Sequence, residues 1–89
     1  MNILEKANNI VNERSEEKER MYGKFDDGME RAADILTAMT GHQYTAELIY
    51  KAMIALKLSR ESFNHKEDNL LDAVAYIGAL NNYINNKIK

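Results

Sequence analysis

Apolar positions recur at intervals of three and four along most of the chain, the spacing of one face of an α-helix at about 100° per residue. Ile3, Leu4, Ala7, Ile10 and Val11 define a first amphipathic helix, and Arg14 extends its stripe by one turn. The period is lost after Ser15. Glu16, Glu17, Lys18, Glu19 and Arg20 form a charge run of the kind that coats a solvated face, and Gly23 ends the helix at the latest. The period resumes from Phe25 to Met39, with Phe25, Met29, Ala32, Ala33, Leu36 and Met39 on the predicted buried side. Asp26 or Asp27 is expected to cap this second helix, since Asp27 followed by Glu30 approximates a capping box. Thr40-Gly41 stops it. Thr45 caps a third helix, which runs to a polar turn near His65, Lys66 and Glu67.

Beyond that turn a fourth helical pattern covers Leu70 to Ile84, apolar or small almost all the way round. A helix of that kind is central in its bundle or covered by another chain. The prediction is therefore an all-α, four-helix bundle-like single domain over residues 1–89, closed by a C-terminal helical hairpin and assembling as a homo-oligomer through the fourth helix.

The hairpin concentrates the polar chemistry. On the third helix Ile49, Met53, Leu56, Arg60 and Phe63 share one side, with Lys57 and Asn64 at its edge. On the fourth, Asp68, Asp72, Tyr76 and Tyr83 form a stripe. An antiparallel closure brings Asn64 level with Asp68, Arg60 with Asp72 and Lys57 with Tyr76. Two readings stand side by side. An Arg60–Asp72 pair packed under Tyr76 is a clasp that fixes helix register, adding little net stability but costly to break on one side. The same row is a cleft for an anionic ligand, because Arg offers a planar fork and Lys a point charge to phosphate or carboxylate. Tyr22, beside Gly23, is poorly explained by solvent exposure and is placed as part of a lid over that cleft.

Composition narrows the class. The 89 residues hold no proline and no cysteine, with 45% hydrophobic and 29% charged residues. Without cysteine there is no disulfide framework and no thiolate metal site. The opening Met-Asn-Ile-Leu-Glu-Lys reads as neither signal peptide nor membrane span, so a cytoplasmic protein is expected. A net charge of −2 gives no basic footprint for duplex nucleic acid. His42 and His65 both fall in turns and neither has an evident nucleophile beside it.

Tyr22-Gly23, then Arg31-Ala32-Ala33, then Lys57-x-x-Arg60-x-x-x-Asn64, then Asp68-x-x-x-Asp72-x-x-x-Tyr76, resembles a family of small phage and prophage proteins known only as a domain of unknown function. More distantly, the Tyr-Gly turn and the Asp-Asp-Tyr helix are similar to all-α MazG-type nucleoside triphosphate pyrophosphohydrolases. The phage-type resemblance implies a small protein acting in the cytoplasm of the host cell. Joined to the cleft, it suggests a nucleotide-binding protein that sequesters a cyclic or ADP-ribose-derived defence signal without turnover and without a cofactor. Arg14, Lys57 and Arg60 would then meet phosphates, Tyr22 or Tyr76 would stack on a base, Asn64 would read its edge, and Asp72 would orient the cations. The MazG resemblance implies the alternative, hydrolysis with magnesium held by Glu30, Asp68 and Asp72, since hard cations take clustered oxygens. Arg60 opposite Asp72 neutralises one such ligand, which ranks sequestration ahead of hydrolysis. A third reading is inhibition of a host enzyme through the apolar fourth helix.

Overall fold

The computed structural model describes residues 1–13, 18, 20 and 24–88. Arg14, Tyr22 and Gly23, and with them the predicted lid, lie outside the described residues. Among the described residues the chain is all-α: α1 (Ile3–Asn12), α2 (Phe25–Thr40), α3 (Ala46–Phe63) and α4 (Glu67–Ile88).

Each start and stop has a local cause. Asn2 caps α1, its side chain accepting from the Glu5 amide at 2.9 Å. Neither Asp26 nor Asp27 caps α2: the cap position is Lys24, with no side-chain bond, and both aspartates lie inside the first turn, where their charge favours the helix dipole. Asp26 is held instead by a bond from the Tyr50 hydroxyl, which takes its carboxylate away from the helix end. Gly41, at φ 78°, closes α2 in the left-handed conformation that glycine adopts without a Cβ penalty. Thr45 caps α3 as the sequence predicts, accepting from the Leu48 amide at 3.3 Å. The turn between them is tied back to α2, because the Thr37 hydroxyl accepts from the Tyr44 amide at 2.9 Å.

The predicted C-terminal hairpin is formed by α3 and α4, and α4 also packs along α1 while α2 packs on α3. Contacts fix the directions. Lys6 meets Glu67 and Asn12 meets Asn82, so α1 runs parallel to α4. Lys57 meets Asp72 and Tyr50 meets Tyr83, so α3 runs antiparallel to it. The core is built of small residues and tyrosines. Ala46, Tyr50, Ala79 and Tyr83 are buried together, with Val11, Phe25, Met29, Tyr76 and Leu80 packed around them. The alanines let helix backbones approach, and the rings fill the space between.

α4 is therefore the central element of its own bundle. Ala73, Ala75, Ala79 and Tyr83 are buried within the chain, so its apolar circumference needs no second chain to explain it.

α3 is rotated relative to the sequence expectation. The predicted buried side, centred on Met53 and Arg60, is displaced by roughly 80° from the observed one, which runs through Ala46, Tyr50 and Lys57. Tyr50 is fully buried and Phe63 is 93% exposed. The reason is chemical. Tyr50 can enter the core because Asp26 accepts the hydrogen bond its hydroxyl donates, and Ala46 beside it allows close approach to α4. Met39 is likewise exposed at the end of α2, against the expectation of a buried position.

Candidate functional site

The rotation of α3 redistributes the predicted polar row. Lys57, not Arg60, faces Asp72, with Nζ 3.2 Å from Oδ2. Arg60 moves to the exposed rim, and the expected Arg60–Asp72 clasp does not form. Asn64 is exposed and serves as the C-cap of α3, its amide bonding to the Arg60 carbonyl at 3.1 Å. Arg60 and Asn64 line a wide, open depression with Ser59, Phe63, Lys66 and Asn69, away from the other predicted residues. Of the seven predicted ligand residues, the structure thus brings together Lys57, Asp72 and Tyr76, places Arg60 and Asn64 elsewhere, and leaves Arg14 and Tyr22 outside the described residues.

Asp72 and Tyr76 border a recess of about 140 Å³ between α1, α2 and α4, whose other walls are Ile10, Val11, Phe25, Ala75 and Ala79. One turn separates Asp72 from Tyr76 on α4, so both project the same way. Phe25, the first residue of α2, lies 5.7 Å from the Tyr76 ring, centroid to centroid, and 5.8 Å from that of Tyr50. Tyr50 in turn lies 5.8 Å from Tyr83. Four aromatic rings thus run from the recess into the core.

The electrostatics of the site are those of a half-buried carboxylate beside an apolar wall. Burial, and then the neighbouring Asp72 charge, raise the Tyr76 phenol above its ordinary value, so it stays a neutral donor and acceptor. Burial raises Tyr50 further, reinforced by its bond to Asp26. Lys57 is largely buried, while the Asp72 carboxylate is 40% exposed. A ligand donor can therefore reach Asp72 from the recess while Lys57 holds its other side.

The acidic trio expected for magnesium is not assembled. Glu30 accepts from the Tyr83 hydroxyl at 3.3 Å, Asp72 pairs with Lys57, and Asp68 is exposed one turn nearer the start of α4. Among the described residues no group of three or more acidic or histidine side chains is placed to hold a metal ion. His65 is bonded to Glu61, whose carboxyl it holds below the usual carboxylate range.

Phe25 and the Asp26–Tyr50 pair were not among the predicted site residues. Their signal was present: an aromatic and an acid at the start of one helix, and a tyrosine in phase with alanines on another. The pairing across α2 and α3 was not legible from spacing along either helix.

A family model described as a domain of unknown function (DUF6378) matches residues 2–84. No curated protein and no solved structure matches the chain.

Proposed function

We propose that this chain, which belongs to the DUF6378 family, binds a nucleotide-derived small molecule by its ring and holds it without turnover. The observation that carries the reading is the recess walled by Phe25 and Tyr76 with the Asp72 carboxylate at its edge. Its volume, about 140 Å³, is close to that of an engineered cavity that takes benzene. It accommodates one planar ring, not a whole nucleotide. An aromatic heterocycle entering edge-on would contact Phe25 and Tyr76 and donate from a ring or exocyclic N–H to Asp72. Sugar and phosphates would then lie outside the recess, and the Lys57 ammonium paired with Asp72 is the cation of the predicted set placed beside it.

The sequence resemblance to phage and prophage proteins adds the biological setting: sequestration of a cyclic or ADP-ribose-derived signal in the cytoplasm of an infected cell. Binding without hydrolysis fits the separation of Glu30 from Asp72.

The test is a thermal-shift screen against nucleoside triphosphates and cyclic or ADP-ribose-derived signals, with and without magnesium, followed by recovery of the ligand. A ligand at about a hundred times its dissociation constant adds roughly 2.7 kcal/mol, several degrees for a domain this small. Stabilisation with intact ligand, abolished by Tyr76→Ala and weakened at least tenfold by Asp72→Asn, is the expected result. Magnesium-dependent loss of a triphosphate would replace the reading with hydrolysis. No shift with any nucleotide would overturn it.

A further inference from the structure

The recess opens into a second space. Val11, Phe25 and Ala79 line both it and a larger chamber of about 350 Å³. The recess alone takes one ring, whereas the two joined fall within the roughly 300–1,000 Å³ of small-molecule sites. α4 is the common floor. Asp72 and Tyr76 belong to the recess, Ala79 to both, and Asn82 and Asn86 to the chamber, all at the spacings of three and four that share one helix face. Tyr76 and Asn82 are six residues apart, about 9 Å along the axis. A base and the far edge of its own sugar are separated by a like distance.

The chemistry changes from one to the other. The recess is apolar apart from Asp72 and the Tyr76 hydroxyl. Among the described residues, the chamber is lined by the carboxamides of Asn12, Asn82 and Asn86, the carboxylates of Asp26 and Asp27, and the ammonium of Lys24. The Asn82 amide donates to Asn12 Oδ1 at 3.3 Å, and the Asn12 amide to Asn8 Oδ1 at 2.7 Å. These bonds orient both groups and leave Asn82 its carbonyl oxygen as an acceptor. Asp26 accepts from Tyr50, and a carboxylate has acceptor sites beyond the one so used. Such acceptors suit hydroxyl groups. Phosphate fits poorly, because two carboxylates stand against one ammonium, and because Asp26 and Asp27 already answer the charge at the start of α2. A carboxylate beside a ribose is also the device by which dinucleotide sites select a free hydroxyl over a phosphorylated one.

We infer that the chamber is the sugar subsite of the recess and takes a ribose whose 2′- and 3′-hydroxyls are both free. The inference rests on the ring-binding reading and narrows it. Of the nucleotide-derived candidates, a ligand with an unesterified ribose fits, and one cyclised through those hydroxyls does not. The hydroxyls donate to Asp27 and to the Asn82 carbonyl, and accept from the Asn86 amide. A site built around hydroxyls rejects an analogue that lacks them, since its own polar groups are then left unpaired.

Titration calorimetry of the full chain tests it, with the ribonucleoside 5′-monophosphates, their 2′,3′-dideoxy counterparts and the nucleoside 2′,3′-cyclic phosphates as probes. A ribonucleotide should bind, and its dideoxy and cyclic forms should each bind at least tenfold more weakly. Asn82→Ala and Asp27→Ala should each remove most of that preference by weakening the ribonucleotide, with unchanged far-UV circular dichroism. The two variants lie on different helices, so a folding fault in one leaves the other to decide. Arg60→Ala should leave the preference intact. Equal affinities for the ribose and dideoxyribose forms, or a preference that survives both chamber variants, would overturn the sugar assignment and leave the ring-binding reading standing. Absence of binding by every probe would overturn both.

Discussion

Tyr50 shows how one hydroxyl decides the orientation of an entire helix. A buried phenol without a partner costs on the order of 1–3 kcal/mol, yet Tyr50 is completely buried because Asp26, in the first turn of α2, accepts its hydrogen bond. Tyr50→Phe keeps the ring and removes the donor, leaving Asp26 partly desolvated. A loss of about 1–2 kcal/mol is expected in urea unfolding followed by circular dichroism. Tyr83→Phe should cost less, because its longer bond goes to the exposed Glu30. The pH dependence follows from the same burial. The folded state holds the Tyr50 and Tyr76 phenols above the ordinary tyrosine value of about 10. Their contribution is whole below that value and is lost as pH rises through the folded one. Stability should fall on the alkaline side of about pH 10, with Tyr50 ionising only on unfolding, and Tyr50→Phe should flatten that fall. Phenolate absorbance recorded alongside circular dichroism checks it. Ionisation of every tyrosine ahead of unfolding would contradict it.

At the scale of elements, the hydrophobic period located all four described helices, and the Thr45 cap and Gly41 stop were legible residue by residue. What the period did not contain was the azimuth of α3. Its apolar residues surround the axis, so an 18-residue window is compatible with more than one buried face. The choice was made by a polar contact between helices, Tyr50 to Asp26, which no count of apolar residues registers. The error carried through to the site: rotating α3 exchanged Arg60 for Lys57 opposite Asp72. On α4 the same kind of ambiguity was harmless, because α1, α2 and α3 all contact it. Gly78 gives that packing a direct test. Among the described residues, a Cβ built there meets only the Val11 Cγ2 atom, at 4.0 Å, an ordinary contact with α1. Gly78→Ala should therefore recover the helix propensity that glycine forgoes, about 0.5–1 kcal/mol, and raise Tm by about 3–8 °C. An unchanged or lower Tm would mean that α1 approaches α4 more closely than 4.0 Å.

For the whole molecule, the recess is a joint between helices, and that placement makes a thermodynamic prediction. Its walls come from α1, α2 and α4, while α3 is tied to the same bundle through Lys57–Asp72 and Tyr50–Asp26. A ring seated in the recess is held only when the three walls are assembled, so the proposed binding should appear in full as stability of the folded chain. Titration calorimetry gives the dissociation constant, and urea unfolding at about a hundred times that concentration should gain roughly 2.7 kcal/mol. Tyr76→Ala should abolish the gain, whereas Arg60→Ala, in the separate depression beside Phe63 and Asn69, should leave it whole. A gain well below that figure would mean that the ligand also binds the unfolded chain, and its loss in Arg60→Ala would move the site from the recess to the depression at the end of α3.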